Sequence, residues 1–444
     1  MNRRDVLKPF EKKREMMDDR IRTGIENNRK GWATLHFKDA EQKPVAGVKV
    51  NVRQKTHDFK FGANLFMLEE FSSPEQNQAY KELFADVFNL ATLPFYWREL
   101  EPEQGKPRFT KDSPKIYRRP APDLCLEYCE ANGIEPKAHC LNYACCTPAW
   151  AKGEVAKMKF LLAKRFRELA ERYSTRIPSW EVTNETYWGF HNLGLDSFYD
   201  QPDYIEWSFD QADRCFPANR LIINEAHCRI WDDAHFYGSR SPYYMQIERA
   251  LLKGARIDSI GMQYHMFFRA EKEVENSAVF YDPERIYNVL DTYAMLGRNI
   301  QITELTIPAY SYAAEDEEIQ AEIMRNVYSM WFSHPAMEAI IYWNLIDGFA
   351  AFAPQGDMTS GENYYHGGLV RYDFTPKPSY YLLRDLFHKT WHTETSVESG
   401  CDGCAGFKGF YGEYELEISH GGKTGTRTIH LNKLCPGDFE LTLE

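Results

Sequence analysis

The spacing of apolar residues changes rhythm twice along the chain. Residues 5–28 (VLKPFEKKREMMDDRIRTGIENNR) combine many charges with helical spacing and predict an amphipathic helix, with Pro9 near its start. Over 31–57 apolar and polar positions alternate, with turn signals at Asp39 and from Pro44 to Gly47. That is the period of half-buried strands. From residue 59 onward short apolar runs recur, at 59–65, 88–97, 135–143, 179–185, 220–226, 259–265, 299–305 and 339–345. Helix-like stretches lie between them, at 159–174, 245–255 and 283–297, and 377–392 closes the series. Eight strands alternating with helices predict an α/β fold, the (β/α)8 TIM barrel. After about residue 396 the two-residue alternation returns as three more strands, with Gly421-Gly422 as a hairpin turn. Neither terminal β segment is long enough to bury much alone. The two are expected to pack together as one small β-sandwich. The organisation predicted is a helix over 1–30, sandwich strands over 31–57 and 396–444, and a catalytic barrel over 58–395.

Composition narrows the function. The chain has 444 residues, with 53 Lys plus Arg against 65 Asp plus Glu, a net charge of −12. It lacks the basic footprint that nucleic-acid binding needs. An apolar fraction of 43% supports a real core. No run of ~18 apolar residues predicts a membrane span. The first 30 residues are charged throughout and lack the apolar centre of a signal peptide, although a leader already removed would leave no trace. Ten scattered cysteines read as small hydrophobes of a reducing compartment, so a cytoplasmic setting is expected. Cys401 and Cys404 form a single CxxC. A zinc site needs two more ligands, and only His430 and Cys435 are near in sequence, so a plain turn is the reading preferred. Gly422-Lys423-Thr424 imitates the tail of a phosphate loop, but Glu417 stands where the first glycine belongs. No metal and no cofactor are expected, and the oligomeric state is open.

In a (β/α)8 barrel the chemistry sits at the C-terminal ends of the strands. Strand four ends in Asn184-Glu185, strand six in Gln263-Tyr264-His265 and strand seven in Glu304. Strand three carries His139 and Tyr143, and strand eight carries Trp343. Glu185 and Glu304 then face each other across the barrel mouth. Such a pair suits glycosidic bond cleavage, where one carboxyl protonates the leaving oxygen and the other attacks or activates water. Gln263 and His265 are two apart on a strand, so both can face the lumen and His265 can bond Glu304. Asn184 is placed to bind a sugar hydroxyl. The acid, Glu185, would need a raised pKa. A lone strand-end Glu commonly serves as a cap or an ion-pair partner, so the weight rests on the set. Rival readings are a β-glycosidase for a non-xylan or decorated saccharide, and a non-catalytic carbohydrate-binding barrel. A lyase or aldolase is a third, but it needs a Schiff-base Lys or metal ligands, and no Lys ends a predicted strand.

These motifs resemble glycoside hydrolase family 10, the retaining endo-β-1,4-xylanases. The acid/base motif of that family is similar to Trp180-Glu181-Val182-Thr183-Asn184-Glu185, and its nucleophile motif to Ile302-Thr303-Glu304-Leu305. Glu101-Pro102-Glu103-Gln104-Gly105, His139 with Thr147-Pro148-Ala149-Trp150, Gln263-Tyr264-His265 and Pro376-Lys377-Pro378-Ser379-Tyr380-Tyr381 match as well. The resemblance spans roughly 58–394, and the flanks are similar at 45–50 and 409–414. It implies Glu185 as acid/base, Glu304 as nucleophile, and Asn184, His139, Gln263, His265 and Trp343 as holders of the sugar on the non-reducing side of the cut. It also exposes departures. The polar pair expected in strand two looks like Leu93 and Tyr96. The Trp-His after strand three is Tyr143-Ala144. The acidic residue two after the nucleophile is Thr306, which predicts a lost partner for His265. A second Trp after strand eight aligns with Ala351, near Phe349 and Phe352. A kept chemical centre with a rebuilt outer subsite predicts a carbohydrate substrate in which plain xylan is poor and a decorated or different β-linked saccharide is favoured. The loop from Tyr187 to His191 is a further source of contacts.

Overall fold

The computed structural model describes residues 2–187, 198–435 and 437–443, apart from the side chain of Cys228. His191 therefore lies outside the described residues. Two strands precede the barrel, β1 (Lys30–Lys38) and β2 (Lys49–Gln54). The barrel strands are β3 (Lys60–Asn64), β4 (Leu90–Pro94), β5 (Glu135–His139), β6 (Ser179–Asn184), β7 (Arg220–Glu225), β8 (Ser259–His265), β9 (Asn299–Thr306) and β10 (Met337–Tyr342). All eight are parallel to their neighbours, and β10 closes on β3. Helices lie between the strands, so the fold is a (β/α)8 TIM barrel.

Local chemistry explains where the outer helices begin. Pro74, Pro122, Pro242, Pro283 and Pro378 each stand in a first helical turn, where a missing N–H costs nothing. Asp282 caps one of these helices by accepting from the backbone N–H of Glu284 and Arg285. The helix Val155–Tyr173 buries Met158, Leu161, Leu162, Phe166, Leu169 and Tyr173, one apolar stripe laid on the sheet. The segment expected as one N-terminal helix is broken. A 3-10 turn (Arg3–Leu7) leads into Lys8–Lys12 and then Arg14–Asn28.

Five strands follow the barrel: β11 (Glu394–Glu398), β12 (Cys404–Phe410), β13 (Gly412–His420), β14 (Lys423–Leu431) and β15 (Asp438–Thr442). They join β1 and β2 in two sheets, ordered β12-β1-β15 and β11-β2-β13-β14. Leu35, Phe37, Val50, Phe407, Leu416 and Leu431 meet between the sheets in one buried cluster, the core of a small sandwich. Gly421 and Gly422 make the β13–β14 turn with φ of 56° and 79°, a conformation only glycine enters freely. Two of the five strands escape the alternation. β11 is short and pairs only with β2, and Tyr411 separates β12 from β13. Cys401 lies in the turn before β12, and Cys404 opens that strand with its Sγ 3.3 Å from His36 Nδ1. His430 bonds Asp58 instead, and no metal-sized group of ligands forms among the described residues.

The barrel lumen is layered. Leu90, Ala339 and Ile341 form an apolar floor. Above it stand buried polar side chains, among them Lys137, Glu181, Asn224, Gln263 and Thr303. Space is tight there. A Cβ on Gly261 would sit 2.6 Å from Asn224 Oδ1 and 2.9 Å from Thr303 Cγ2, so β8 can pass only as glycine. The loop leaving β10 is anchored by Asp347, whose Oδ1 accepts from the Gly368 N–H at 2.6 Å and whose Oδ2 lies 2.6 Å from Lys377 Nζ. Both side chains of this ion pair are essentially inaccessible. Burial pushes the Lys377 ammonium pKa down, and Asp347 opposes that push. Removing one partner strands a buried charge. Asp347→Asn is expected to lower unfolding free energy by ~3 kcal/mol in denaturant titration. A loss below ~1 kcal/mol would show that the loop does not depend on the pair.

Candidate active site

Both strands that carry the candidate carboxylates are irregular. Against β7, β6 gains one residue between Glu181 and Thr183. Against β8, β9 gains one residue before Glu304. A bulge re-aims the side chains that follow it, and here it brings both carboxylates toward the axis of the mouth. Glu185, just past β6, holds φ at +47°, a sparsely populated conformation for a residue with a side chain. Glu225 at the end of β7 braces the next peptide. Its Oε2 accepts from Thr186 N at 2.8 Å and Thr186 Oγ1 at 2.7 Å. Burial pushes the Glu225 carboxyl up to about 7 against those bonds.

Gln263 joins the pair. Its Nε2 donates to Glu185 Oε1 at 2.9 Å and to Glu304 Oε1 at 3.0 Å. Two oxygens on one nitrogen cannot lie farther apart than the sum of those lengths. That bounds the two Oε1 atoms and admits the ~5–5.5 Å carboxyl separation of a retaining pair. Tyr143 donates its hydroxyl to Glu185 Oε2 at 2.6 Å. Glu304 also accepts from Asn224 Nδ2 at 3.2 Å, and Asn224 bonds Asn184 Oδ1 at 2.8 Å. His265 Nε2 lies 3.2 Å from Glu304 Oε2, and its Nδ1 lies 3.0 Å from Thr306 Oγ1. Burial lowers the His265 pKa to about 4, so the ring is neutral. A neutral ring with Nε2–H toward Glu304 leaves Nδ1 to accept the Thr306 hydroxyl proton. The expected loss of a partner at 306 is thus corrected: a hydroxyl takes the place of a charge and fixes the tautomer.

Beneath the pair lies a charge array that motif reading did not assign. Glu181 Oε1 is 2.5 Å from Lys137 Nζ, and Glu181 Oε2 bonds His139 Nδ1, with all three side chains buried. Burial alone would push Glu181 up, but Lys137 and His139 hold it down to about 2. Burial works against a charged His139, yet Glu181 outweighs it and raises the His139 pKa above its ordinary value. Lys137 was overlooked because it sits inside β5, away from the strand end. Burial, then the charges of Glu185 and Glu181, push Glu304 up to about 8, with His139 and Lys137 pulling the other way.

An aromatic wall flanks the pair. Phe66, Tyr96, Cys146 and Trp343 cluster, with Tyr143 and Cys145 against them. The Trp343 ring lies 5.7 Å from His139 and 5.1 Å from Phe66, and Tyr96 lies 5.0 Å from His139. Leu93 is different: it is fully buried in the main core and does not reach this wall. Phe349 is likewise buried, against Phe71 and Tyr372, whereas Phe352 is 91% exposed on the loop after β10. His139, Tyr143, Asn184, Glu185, Gln263, His265, Glu304, Trp343 and Tyr96 therefore converge on one cleft.

A parallel barrel with a carboxylate pair on one amide at its mouth belongs to the class of barrel proteins built for glycosidic chemistry. The family model for Glycosyl hydrolase family 10 matches residues 55–385, most of the chain. The chain belongs to that family. It is 26% identical over 331 residues to Endo-1,4-beta-xylanase 1 of Arabidopsis thaliana, covering 72% of this chain and 30% of the relative. It is 24% identical over 330 residues to Endo-1,4-beta-xylanase B of Thermotoga neapolitana, covering 72% and 86%. A 22% identical match over 428 residues to the anti-sigma-I factor RsgI6 of Acetivibrio thermocellus covers 94% of this chain and 48% of that one. The chain spans less than half the length of the Arabidopsis protein and of RsgI6. The fold matches xylanase 10B of Thermotoga maritima with a TM-score of 0.59 at 22% identity, over 75% of this chain and 96% of that one.

The array carries a pH signature. The Glu181 pKa lies below its ordinary value of 4.5, so its contribution is complete above pH 4.5 and is lost as pH falls toward 2. That contribution is about 3 kcal/mol. The His139 contribution has the opposite sign: it is present below pH ~6.5 and fades as pH rises through the raised value. Glu181→Gln is expected to unfold more easily than wild type at pH 6, with a gap that narrows as pH drops below 4.5. A gap independent of pH would contradict the charge assignment.

Proposed function

We propose that this chain is a retaining glycoside hydrolase that cleaves β-1,4-linked xylan-type saccharides, with a rebuilt outer subsite. The observation that carries the reading is the single Gln263 amide shared by Glu185 and Glu304. Glu304 is the nucleophile. Three nitrogens aimed at its oxygens, from Gln263, Asn224 and His265, favour leaving the negative charge there. Glu185 is the acid/base, with Tyr143 donating to its Oε2 and orienting the carboxyl. In the first step Glu304 attacks the anomeric carbon while Glu185 protonates the departing oxygen. In the second, Glu185 takes a proton from water, which attacks the same carbon and frees Glu304.

The sugar on the non-reducing side of the cut would lie against Trp343 and His139, with Asn184 at its ring hydroxyls. Beyond it the wall offers Tyr96 where the family pattern has a cation. That substitution supports a preference away from plain xylan. The nine cysteines whose side chains are described are free thiols, which supports a reducing compartment. Among the described residues no helix is long and apolar enough to cross a membrane. A second reading, saccharide binding without cleavage, draws on the match, over 94% of this chain and 48% of the relative, to a protein described as an anti-sigma factor.

The test is release of an aryl leaving group from matched β-xyloside, β-xylobioside, β-glucoside and β-cellobioside. The xylobioside is expected to be fastest, with Glu304→Ala reducing its turnover at least ~1,000-fold while the fold is kept. Equal rates on the monosides would move the reading to an exo-acting β-glycosidase. Binding with no release from any of the four would favour saccharide binding without cleavage.

A further inference from the structure

The outer wall of the cleft contains a cation that the established motifs do not use. Arg119 stands over the Tyr96 ring at 4.1 Å and faces Phe66 at 5.4 Å. Tyr96 in turn abuts His139 and Tyr143, so Arg119 is one ring away from the reacting pair. Its Nη1 donates to the Arg118 carbonyl at 2.9 Å, and its Nε is buried with no partner. Among the described residues no carboxylate forms an ion pair with it. Glu99 pairs with Arg98 instead, through its Oε1 at 2.6 Å.

Its backbone is held from both sides of the mouth. Arg118, at φ +62°, buries its guanidinium and donates to Asn344 Oδ1 at 2.9 Å and to the Phe349 carbonyl. These bonds tie the loop after β4 to the loop after β10. A planar guanidinium with spare donors, stacked on an aromatic ring and fixed in advance, is the arrangement that reads a carboxylate. We propose that Arg119 is a specificity-determining residue that binds the carboxylate of a uronic acid carried by the saccharide at the outer glycone subsite, beside Tyr96. This inference rests on the glycoside hydrolase reading and names the decoration that the altered subsite selects.

The experiment uses xylotetraoses bearing one uronic acid branch at each position in turn, the same compounds with the carboxyl reduced to an alcohol, and unbranched xylotetraose. Hydrolysis is followed with the full chain, and binding is followed by calorimetry with Glu304→Gln. At least one acidic isomer is expected to exceed its reduced form about 10-fold in kcat/KM and in affinity, with the advantage shrinking as salt rises. Arg119→Met should bring that ratio to within about twofold of unity, and Arg119→Lys should restore part of it. Equal hydrolysis of acidic and reduced forms by wild type overturns the role of Arg119 and leaves the glycosidase reading standing. An advantage that persists in a folded Arg119→Met also overturns it. Absence of both binding and cleavage with every compound overturns the two together.

Discussion

One side-chain amide sets the geometry on which the account depends. Gln263 offers its two N–H bonds to two carboxylates that would otherwise repel across a dry lumen. For the amide to reach both, each carboxylate strand must carry an extra residue, and β6 and β9 do. Gly261 lies two residues before Gln263 because Asn224 fills the space a side chain would need. The bulges, the glycine and the asparagine are parts of one constraint: to hold two carboxyl groups close on one amide.

The lower layer makes that constraint affordable in electrostatic terms. Lys137 and His139 place positive charge beneath the pair, and Glu181 pairs with both. Without it, burial would drive Glu304 further toward its neutral form and away from nucleophilic service. The neutral His265, set by the Thr306 hydroxyl, adds a hydrogen bond to Glu304 without adding another charge.

Much of this was legible in the residues. The eight apolar runs announced the barrel because its strands are buried on both faces and separated by helices, several of which begin with proline. Glu185, Gln263, His265 and Glu304 were visible because strand ends are where the fold exposes chemistry. What escaped was set by three dimensions. Lys137 lies mid-strand, so its role depends on the lumen being polar there. Leu93 occupied a position aligned with a sugar ligand, yet it faces the helices, because strand alternation and local register decide direction. Arg119 sits in a long loop after β4 with no motif of its own, and only its stacking on Tyr96 gives it meaning. β11 was missed because a short edge strand has too few positions to show a period.

The central claim is that Glu304 bonds covalently to the sugar while Glu185 manages the proton. The most direct measurement is intact-protein and peptide mass analysis after incubation with an aryl 2-deoxy-2-fluoro-β-xylobioside, whose glycosyl-enzyme forms faster than it hydrolyses. The account expects one added 2-deoxy-2-fluoroxylobiosyl group, on the peptide containing Glu304, and none with Glu304→Gln. A stable adduct on Glu185 or on any other residue, or steady cleavage of the parent xylobioside with inversion at the anomeric carbon, would contradict it.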